Sequence, residues 1–255
     1  MEKNVETVVR SLCSRHIKGV FAQDSDDAKS KILASVSTDA VVGIGDSTTV
    51  RQIGVVEELR KKGTRVLDGF DPKTEYGSIK DWEHRNRLLK ESMFCDVFLT
   101  GTNAITEEGR LVNVDGVGNR VAGMVYGHPT TIIVVGRNKI VKNLDEAFHR
   151  LRKVIAPNHI RIRALELGGW CPKTPCVATG ECNDCRVEDR ACNIFTIIES
   201  KPLRTDMMVI IVDRDLGLGW DESWQRERIN SIVENYKKYV WVPPADVFSK
   251  EKWVR

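Results

Sequence analysis

Apolar residues recur along this chain in two patterns that alternate from one end to the other. Short apolar runs that suit buried strands cover residues 40–45, 65–70, 95–100, 111–114, 131–135 and 207–212. Apolar positions at helical spacing predict helices over residues 3–17, 26–36, 49–62, 78–93, 144–155 and 223–239. The helix that starts at residue 144 is expected to end before Pro157, because a residue that precedes proline disfavours helical backbone. Strands that alternate with helices predict an α/β fold with a mostly parallel sheet covered by helices.

Length and charge narrow the classes of protein that fit this pattern. We expect one α/β domain over residues 1–255, with a cysteine-rich insertion over residues 169–195. The formal net charge is only +3 and charges of both signs are interleaved, which argues against a nucleic-acid binder. The longest apolar runs are too short to span a bilayer, and the first twenty residues lack the apolar core of a signal peptide. The sequence therefore predicts a cytoplasmic protein with no membrane partner.

A turn rich in glycine, serine and threonine follows the first predicted strand. Gly43-Ile-Gly-Asp-Ser-Thr-Thr-Val50 opens a predicted helix, so its backbone N–H groups can approach a ligand. The candidate binding residues are Gly45, Ser47, Thr48 and Thr49, and a small anionic metabolite such as a carboxylate or phosphate would suit them. The alternative is a plain strand-to-helix turn with hydroxyl caps.

A second polar segment, residues 100–120, starts at the end of another predicted strand. Ligands of open α/β sheets bind at the carboxyl ends of strands, so polar residues there are candidates for contact with substrate. The candidates for substrate binding are Asn103, Asn119, Arg120 and Asn138. Lys139 is a candidate to pair with a carboxylate or phosphate, and Asp115 to orient it or act as a base. The alternative is a hairpin in which Asp115 is a turn residue and Lys139 a solvated charge.

Four segments in order give this chain a resemblance to the lactate-utilisation (LUD) family. They are residues 43–50, 100–106, 113–120 and 135–141. The resemblance implies a fold similar to the ribose-5-phosphate isomerase and CoA-transferase group, and a role in oxidising lactate or a related organic acid. It also implies iron–sulfur partner proteins. Thr100-Gly-Thr-Asn103 replaces the acidic strand-end motif of the isomerases, and no match to the glutamate nucleophile of CoA transferases is found, so those activities do not carry over.

Five of the seven cysteines fall within residues 171–192, in a segment rich in proline and glycine that predicts an irregular loop. The favoured ligands of a metal centre are Cys176, Cys182, Cys185 and Cys192, and Cys171 is a possible substitute for one of them. Thiolates at this spacing favour a [4Fe-4S] cluster over structural zinc, because only one C-x-x-C pair is present. Disulfides are disfavoured in a cytoplasmic setting. For Cys13 and Cys95 we expect simple burial.

The resemblance to the LUD family, taken together with the cysteine segment, implies two possible functions. The first is a subunit for oxidation of lactate or a related small organic acid, which passes electrons through an iron–sulfur cluster to iron–sulfur or flavoprotein partner subunits. The second is a metabolite-binding or regulatory module in which the cysteine loop holds structural zinc or senses redox state. The tryptophans near the C-terminus suit either helix packing on the sheet or a contact within a homo-oligomer.

Overall fold

A six-stranded parallel sheet forms the centre of the molecule. The computed structural model describes residues 3–73 and 79–245. The strands of this sheet are β1 Lys18–Ala22, β2 Val41–Ile44, β3 Arg65–Leu67, β4 Val97–Gly101, β7 Thr130–Gly136 and β10 Asp206–Val212. They follow the order β1-β10-β7-β4-β2-β3, and every neighbouring pair is parallel.

Helices cover both faces of this sheet. They are α1 Lys3–Ser14, α2 Ser25–Ser35, α3 Thr48–Gln52, α4 Val55–Lys61, α5 Ile79–Glu91, α6 Asn119–Val125, α7 Leu144–Arg150, α8 Ala156–Arg161, α9 Pro175–Thr179 and α10 Arg226–Lys237. Side chains of β7 alternate between two cores: Ile132 and Val134 pack with α2, α3 and α4, whereas Ile133 and Val135 pack with α1 and α6. The α/β fold with a mostly parallel, helix-covered sheet is thus confirmed.

A smaller four-stranded sheet lies beside the first and follows the order β8-β5-β6-β9. Its strands are β5 Ala104–Thr106, β6 Leu111–Asp115, β8 Ile140–Val141 and β9 Ile194–Ile198. Strands β5 and β6 form an antiparallel hairpin, and β9 pairs antiparallel with β6. The hairpin interpretation of residues 100–120 is therefore correct for its central part.

The predicted helix boundaries need two main corrections. The helix expected over residues 49–62 is split into α3 and α4 by Gly54, whose left-handed φ of 69° interrupts the helical hydrogen bonds. The helix expected to end before Pro157 continues to Glu166, with π-helical turns at Leu151–Ile155 and Ile162–Glu166. The first π-helical turn precedes the proline, and its wider hydrogen-bond spacing accommodates a residue without an N–H. No helix in the described ranges is long and apolar enough to cross a bilayer.

Candidate anion crevice and thiol cavity

The order of the strands reverses between β2 and β4, and we term the region beyond the carboxyl ends of these two strands the crevice. The chain leaves β2 towards β3 on one side, and leaves β4 towards β7 on the other. Ligands of open parallel sheets bind beyond the carboxyl ends of strands at such a reversal. The two segments that leave these ends are the glycine–serine–threonine turn after Ile44 and the polar segment after Gly101. The fold therefore brings together the two motifs that the sequence places 55 residues apart.

Glycine residues, which have no side chain, let the two segments approach each other closely. A Cβ on Gly101 would lie 2.7 Å from Ser47 Oγ, and a Cβ on Gly45 would lie 2.6 Å from the ring of Phe98. Thr100 Oγ1 donates a 2.8 Å hydrogen bond to the Gly45 carbonyl oxygen. Ser47 Oγ accepts from the Val50 N–H and caps α3, as the plain turn predicts. Because α3 has only five residues, its dipole contributes little to an anion site.

Lys139 lies at the junction of three strand ends. It follows β7, and its Nζ donates to Thr49 Oγ1 at 2.8 Å and to the Thr102 carbonyl oxygen at 2.9 Å. The residue is only 6% exposed, so it is not the solvated charge of the alternative interpretation. Burial lowers the pKa of Lys139 from 10.5 to about 7, and the nearby positive charge of Arg120 makes a smaller contribution to this shift. The crevice thus contains a buried amino group whose charged form is disfavoured by its surroundings.

Arg120 holds the polar segment together from within. Its guanidinium donates to Asn103 Oδ1 at 2.8 Å, to Asn113 Oδ1 at 2.9 Å and to the Val114 carbonyl oxygen at 2.7 Å. Its Nε lies 3.5 Å from Asp115 Oδ2. The sequence predicts that Arg120 binds substrate, but these contacts use its N–H donors within the protein. Arg120 therefore shapes the crevice and supplies positive charge, and does not present a free hydrogen-bonding edge.

The other predicted residues of this segment have clear structural contacts. Asp115 Oδ1 accepts from the N–H groups of Val117 and Gly118, which is the contact pattern of a turn residue. Asn103 Oδ1 accepts from the Val114 N–H as well as from Arg120. Asn119 begins α6 and is partly buried. Asp115 lies close to the crevice, but its oxygens face the turn and Arg120 instead of standing free as a base.

Asn138 fastens the loop over residues 213–219 onto the sheet. Its Nδ2 donates to the Gly219 carbonyl oxygen and its Oδ1 accepts from the Leu216 N–H, both at 2.9 Å. The side chain is completely buried. The same loop covers Lys139, since a Cβ on Gly217 would lie 2.6 Å from Lys139 Nζ. Asn138 therefore holds in place the loop that covers Lys139.

We expect Asn138→Ala to lower the free energy of unfolding by about 2 kcal/mol, because two buried backbone groups lose their partners. Urea unfolding measures this loss. The matched control is Asn143→Ala, which removes the cap that bonds to the Glu146 N–H at the start of α7 and should cost about 1 kcal/mol. Equal losses in the two variants would contradict the fastening role of Asn138.

A relay of three side chains connects the long helix to the turn, and sequence reasoning missed it. Arg163 Nη1 donates to His159 Nε2 at 2.8 Å, so His159 is neutral and its Nδ1–H donates to the Tyr236 hydroxyl at 2.5 Å. Burial lowers the pKa of His159 well below 6.5, in agreement with this tautomer. The Tyr236 hydroxyl also lies within hydrogen-bonding reach of the Thr48 side chain. No sequence signal links residues 77 positions apart, so only the fold reveals the relay.

The cysteine segment folds around a small cavity beside α8. Its wall includes all four favoured ligands, and they line it together with Ala156, Pro157, Ile160 and Arg190. The thiols are Cys176, Cys182, Cys185 and Cys192. The cavity is small, with a volume of about 20 Å³, and it is partly open to solvent. The loop therefore brings together side chains that the sequence spreads over 17 residues.

Local backbone geometry aims these thiols inward. Cys176 lies in α9, a single helical turn that ends at Gly180 with a left-handed φ of 77°. Asp184, inside the C-x-x-C pair, also has a positive φ of 46°, which tightens the turn between Cys182 and Cys185. Arg190 Nη2 donates to Cys192 Sγ at 3.4 Å, and Arg190 Nη1 donates to the Cys185 carbonyl oxygen. A cationic donor therefore faces the thiols.

The other three cysteines lie apart from this cavity. Cys171 is exposed and does not line the cavity wall. Cys95 is buried as expected, but Cys13 is exposed, so the predicted burial of Cys13 is wrong: it lies on the outer face of α1, whereas Leu12 faces the core. Within residues 3–73 and 79–245, no three His, Cys, Asp or Glu side chains stand where a single metal ion would contact all of them. The thiols share a cavity without closing around one point.

Comparison with known proteins identifies the family. The sequence profile described as LUD domain matches residues 5–212. The chain belongs to the LUD domain family. This family is associated with lactate utilisation. A crystal structure of a DUF162 family protein from Deinococcus radiodurans is similar to this LUD protein at 13% identity and a TM-score of 0.42, over 82% of this chain and 96% of that chain. A search of curated proteins finds no match.

The LUD match includes most, but not all, of the two candidate sites. The four thiols and the crevice residues up to Lys139 fall inside the matched range. The cover residue Gly217 and the relay residue Tyr236 lie beyond its end at residue 212. The C-terminal part of this LUD protein thus completes the crevice.

Proposed function

We propose that this LUD protein is a subunit for oxidation of lactate or a related small organic acid, and that its thiol cavity holds a [4Fe-4S] cluster. The observation that carries the proposal is the common cavity lined by Cys176, Cys182, Cys185 and Cys192. Thiolates are soft ligands that select iron–sulfur clusters, zinc or copper(I). Such a cluster, when bound, supplies one-electron transfer.

The surroundings of the thiols support a cluster in two ways. Ala156, Pro157 and Ile160 give the cavity an apolar wall, which limits access of solvent. Arg190 places a positive charge and an N–H donor at the sulfur of Cys192. Donors to sulfur and nearby charge are the features by which proteins adjust the reduction potential of iron–sulfur clusters.

The crevice supports the organic-acid part of the proposal. It contains the amino group of Lys139 and the buried guanidinium of Arg120, and the carboxylate nearest to Arg120 is Asp115. The Thr49 hydroxyl accepts from Lys139 Nζ, and the Thr48 side chain lies within hydrogen-bonding reach of the Tyr236 hydroxyl. A small carboxylate would bring further negative charge to the buried guanidinium of Arg120, which Asp115 already faces.

The continuous helix over residues 144–166 contributes side chains to both sites. Its residues Pro157 and Ile160 line the thiol cavity. Its residue His159 starts the relay to Tyr236 and the turn at Thr48. One helix therefore links the wall of the thiol cavity to the relay that reaches the turn at Thr48.

The proposal is tested by elemental analysis of protein purified without oxygen. We expect about four iron and four sulfide per chain and a broad visible absorbance. Stoichiometric zinc without colour would instead favour the metabolite-binding or regulatory module with a structural metal. Dye reduction that depends on lactate, by this protein alone and with candidate iron–sulfur or flavoprotein partners, tests the oxidation. Absence of turnover in every combination would overturn the enzymatic part.

A further inference from the structure

An open cleft of about 360 Å³ lies at the carboxyl ends of β1 and β10. Its lining includes Asp24, Asp26, Gln52, Arg214 and Asp215, and none of its lining residues belongs to the thiol cavity. Pockets of this size hold small ligands, and the carboxyl ends of parallel strands are where such ligands bind. The cleft is therefore a second candidate for ligand binding, separate from the thiols.

Strand pairing brings a carboxylate and a guanidinium to the same end of this cleft. Ala22 ends β1 and pairs with Val212, which ends β10. The Asp213 N–H donates to the Ala22 carbonyl oxygen at 2.9 Å, so the two chains stay side by side beyond the sheet. Asp24 and Arg214 each follow two residues after these paired ends, on strands about 4.8 Å apart.

The other carboxylates of the cleft already have cationic partners. Asp215 lies 2.7 Å from the guanidinium of Arg228 and 3.2 Å from that of Arg137. Asp26 forms a 2.7 Å ion pair with the lysine three residues further along α2. Neither carboxylate therefore neutralises Arg214, although both line the cleft with it.

Asp24 and Arg214 do not pair with each other either. Asp24 Oδ1 accepts from the N–H groups of Asp26 and Asp27 as the cap of α2. Arg214 Nη1 donates to the Asp213 carbonyl oxygen at 2.9 Å, and the residue is exposed. Over residues 3–73 and 79–245, no ion pair involves Asp24 or Arg214. Opposite charges that line one cleft without pairing suit a ligand that carries both charges.

Gln52 adds an unused hydrogen-bond donor to the lining of the cleft. Its Oε1 accepts from the Gly217 N–H at 2.6 Å, which leaves the amide nitrogen as the free end of the side chain. Nε2 is buried and has no hydrogen-bond partner in the part of the chain that the structure describes. A buried donor without a partner is unfavourable, and a carboxylate oxygen is an acceptor that would satisfy it.

We propose that this cleft binds an α-amino acid in its zwitterionic form. The carboxylate of the ligand pairs with the guanidinium of Arg214 and accepts from the amide of Gln52, and its ammonium group pairs with Asp24. No bond of the ligand is made or broken. The site is distinct from the proposed cluster and does not depend on the proposed oxidation.

Calorimetric titration of the whole protein with each proteinogenic α-amino acid tests the proposal. We expect at least one of them to bind in the micromolar to millimolar range. The tightest binder is then compared with its 2-hydroxy acid, which lacks the ammonium group, and with its decarboxylated amine. Each analogue loses one charged contact, so each should bind about tenfold more weakly or worse.

Three substitutions locate the site. Arg214→Met removes the guanidinium, and Asp24→Asn removes the negative charge but keeps a good cap for α2. Gln52→Glu keeps an acceptor for the Gly217 N–H and replaces the donor by a carboxylate oxygen. Each should weaken binding of the amino acid about tenfold or more. Arg204→Met, which changes an exposed arginine outside the lining, should leave binding intact.

Three results would overturn the proposal. They are absence of binding by every amino acid at about 10 mM, equal binding of the amino acid and its 2-hydroxy analogue, and binding that survives both Arg214→Met and Asp24→Asn. Lactate that binds in the crevice should be insensitive to Arg214→Met, so failure of the amino-acid site and failure of the organic-acid site are distinguished. Because the analogues are compared on the unaltered protein, a folding defect in a variant cannot imitate the expected result.

Discussion

Protein that carries Cys182→Ser and is purified without oxygen is expected to lose most of its iron, its sulfide and its visible absorbance. Cys182 lines the cavity with three other thiols and belongs to the tight C-x-x-C turn. A serine oxygen is a much poorer ligand than a thiolate for the iron of a cluster, so one substitution should prevent stable assembly and leave less than about one iron per chain.

The chain supplies two matched controls for this experiment. Cys171→Ser alters an exposed thiol of the same segment that does not line the cavity, and Cys13→Ser alters an exposed thiol of α1. Both variants should keep the iron and sulfide of the unaltered protein. If Cys171→Ser lost as much iron as Cys182→Ser, Cys171 would be a ligand and the assignment of the four thiols would be wrong. If Cys182→Ser kept its iron, the cavity would not be the site.

The parallel sheet was predictable because its central strands are buried on both faces. Strands β7 and β10 consist almost entirely of apolar residues, and such runs are visible without knowledge of their neighbours. Strand β9 was missed because it is only partly buried and its pairing with β6 joins distant parts of the chain. Strand β1 was missed for a similar reason: only Ala22 is fully buried in it.

Those parts of the candidate sites that depend on the spacing of nearby residues in the sequence were predictable. The glycine–serine–threonine turn and the polar segment each follow a strand, so their convergence is a consequence of parallel pairing. The four thiols could be proposed because short spacing restricts where their side chains can go. The contacts of Arg120 and Asn138 with the protein itself, and the relay through Tyr236, depend on packing between distant elements, which no local pattern encodes.

We expect Lys139→Met to raise the free energy of unfolding at pH 7 by about 3 kcal/mol. The pKa of Lys139 falls from 10.5 to about 7 on folding, mainly through burial. At ~1.4 kcal/mol per unit of pKa, that fall costs the folded state about 4 kcal/mol near neutral pH. Loss of the hydrogen bonds to Thr49 and Thr102 offsets about 1 kcal/mol of the gain, since methionine fills a similar volume.

The gain in stability expected for Lys139→Met should depend on pH. Between pH 7 and 10.5 the unfolded chain binds a proton at Lys139 that the folded protein does not, so the stability of the unaltered protein rises with pH across this window. The advantage of Lys139→Met should therefore be full at pH 7 and shrink to about 1 kcal/mol or less by pH 9.5. Denaturant unfolding at the two pH values measures it, with Lys142→Met as the exposed control that changes stability at neither. A Lys139→Met protein less stable than the parent at pH 7 would show that the buried amine stabilises the fold.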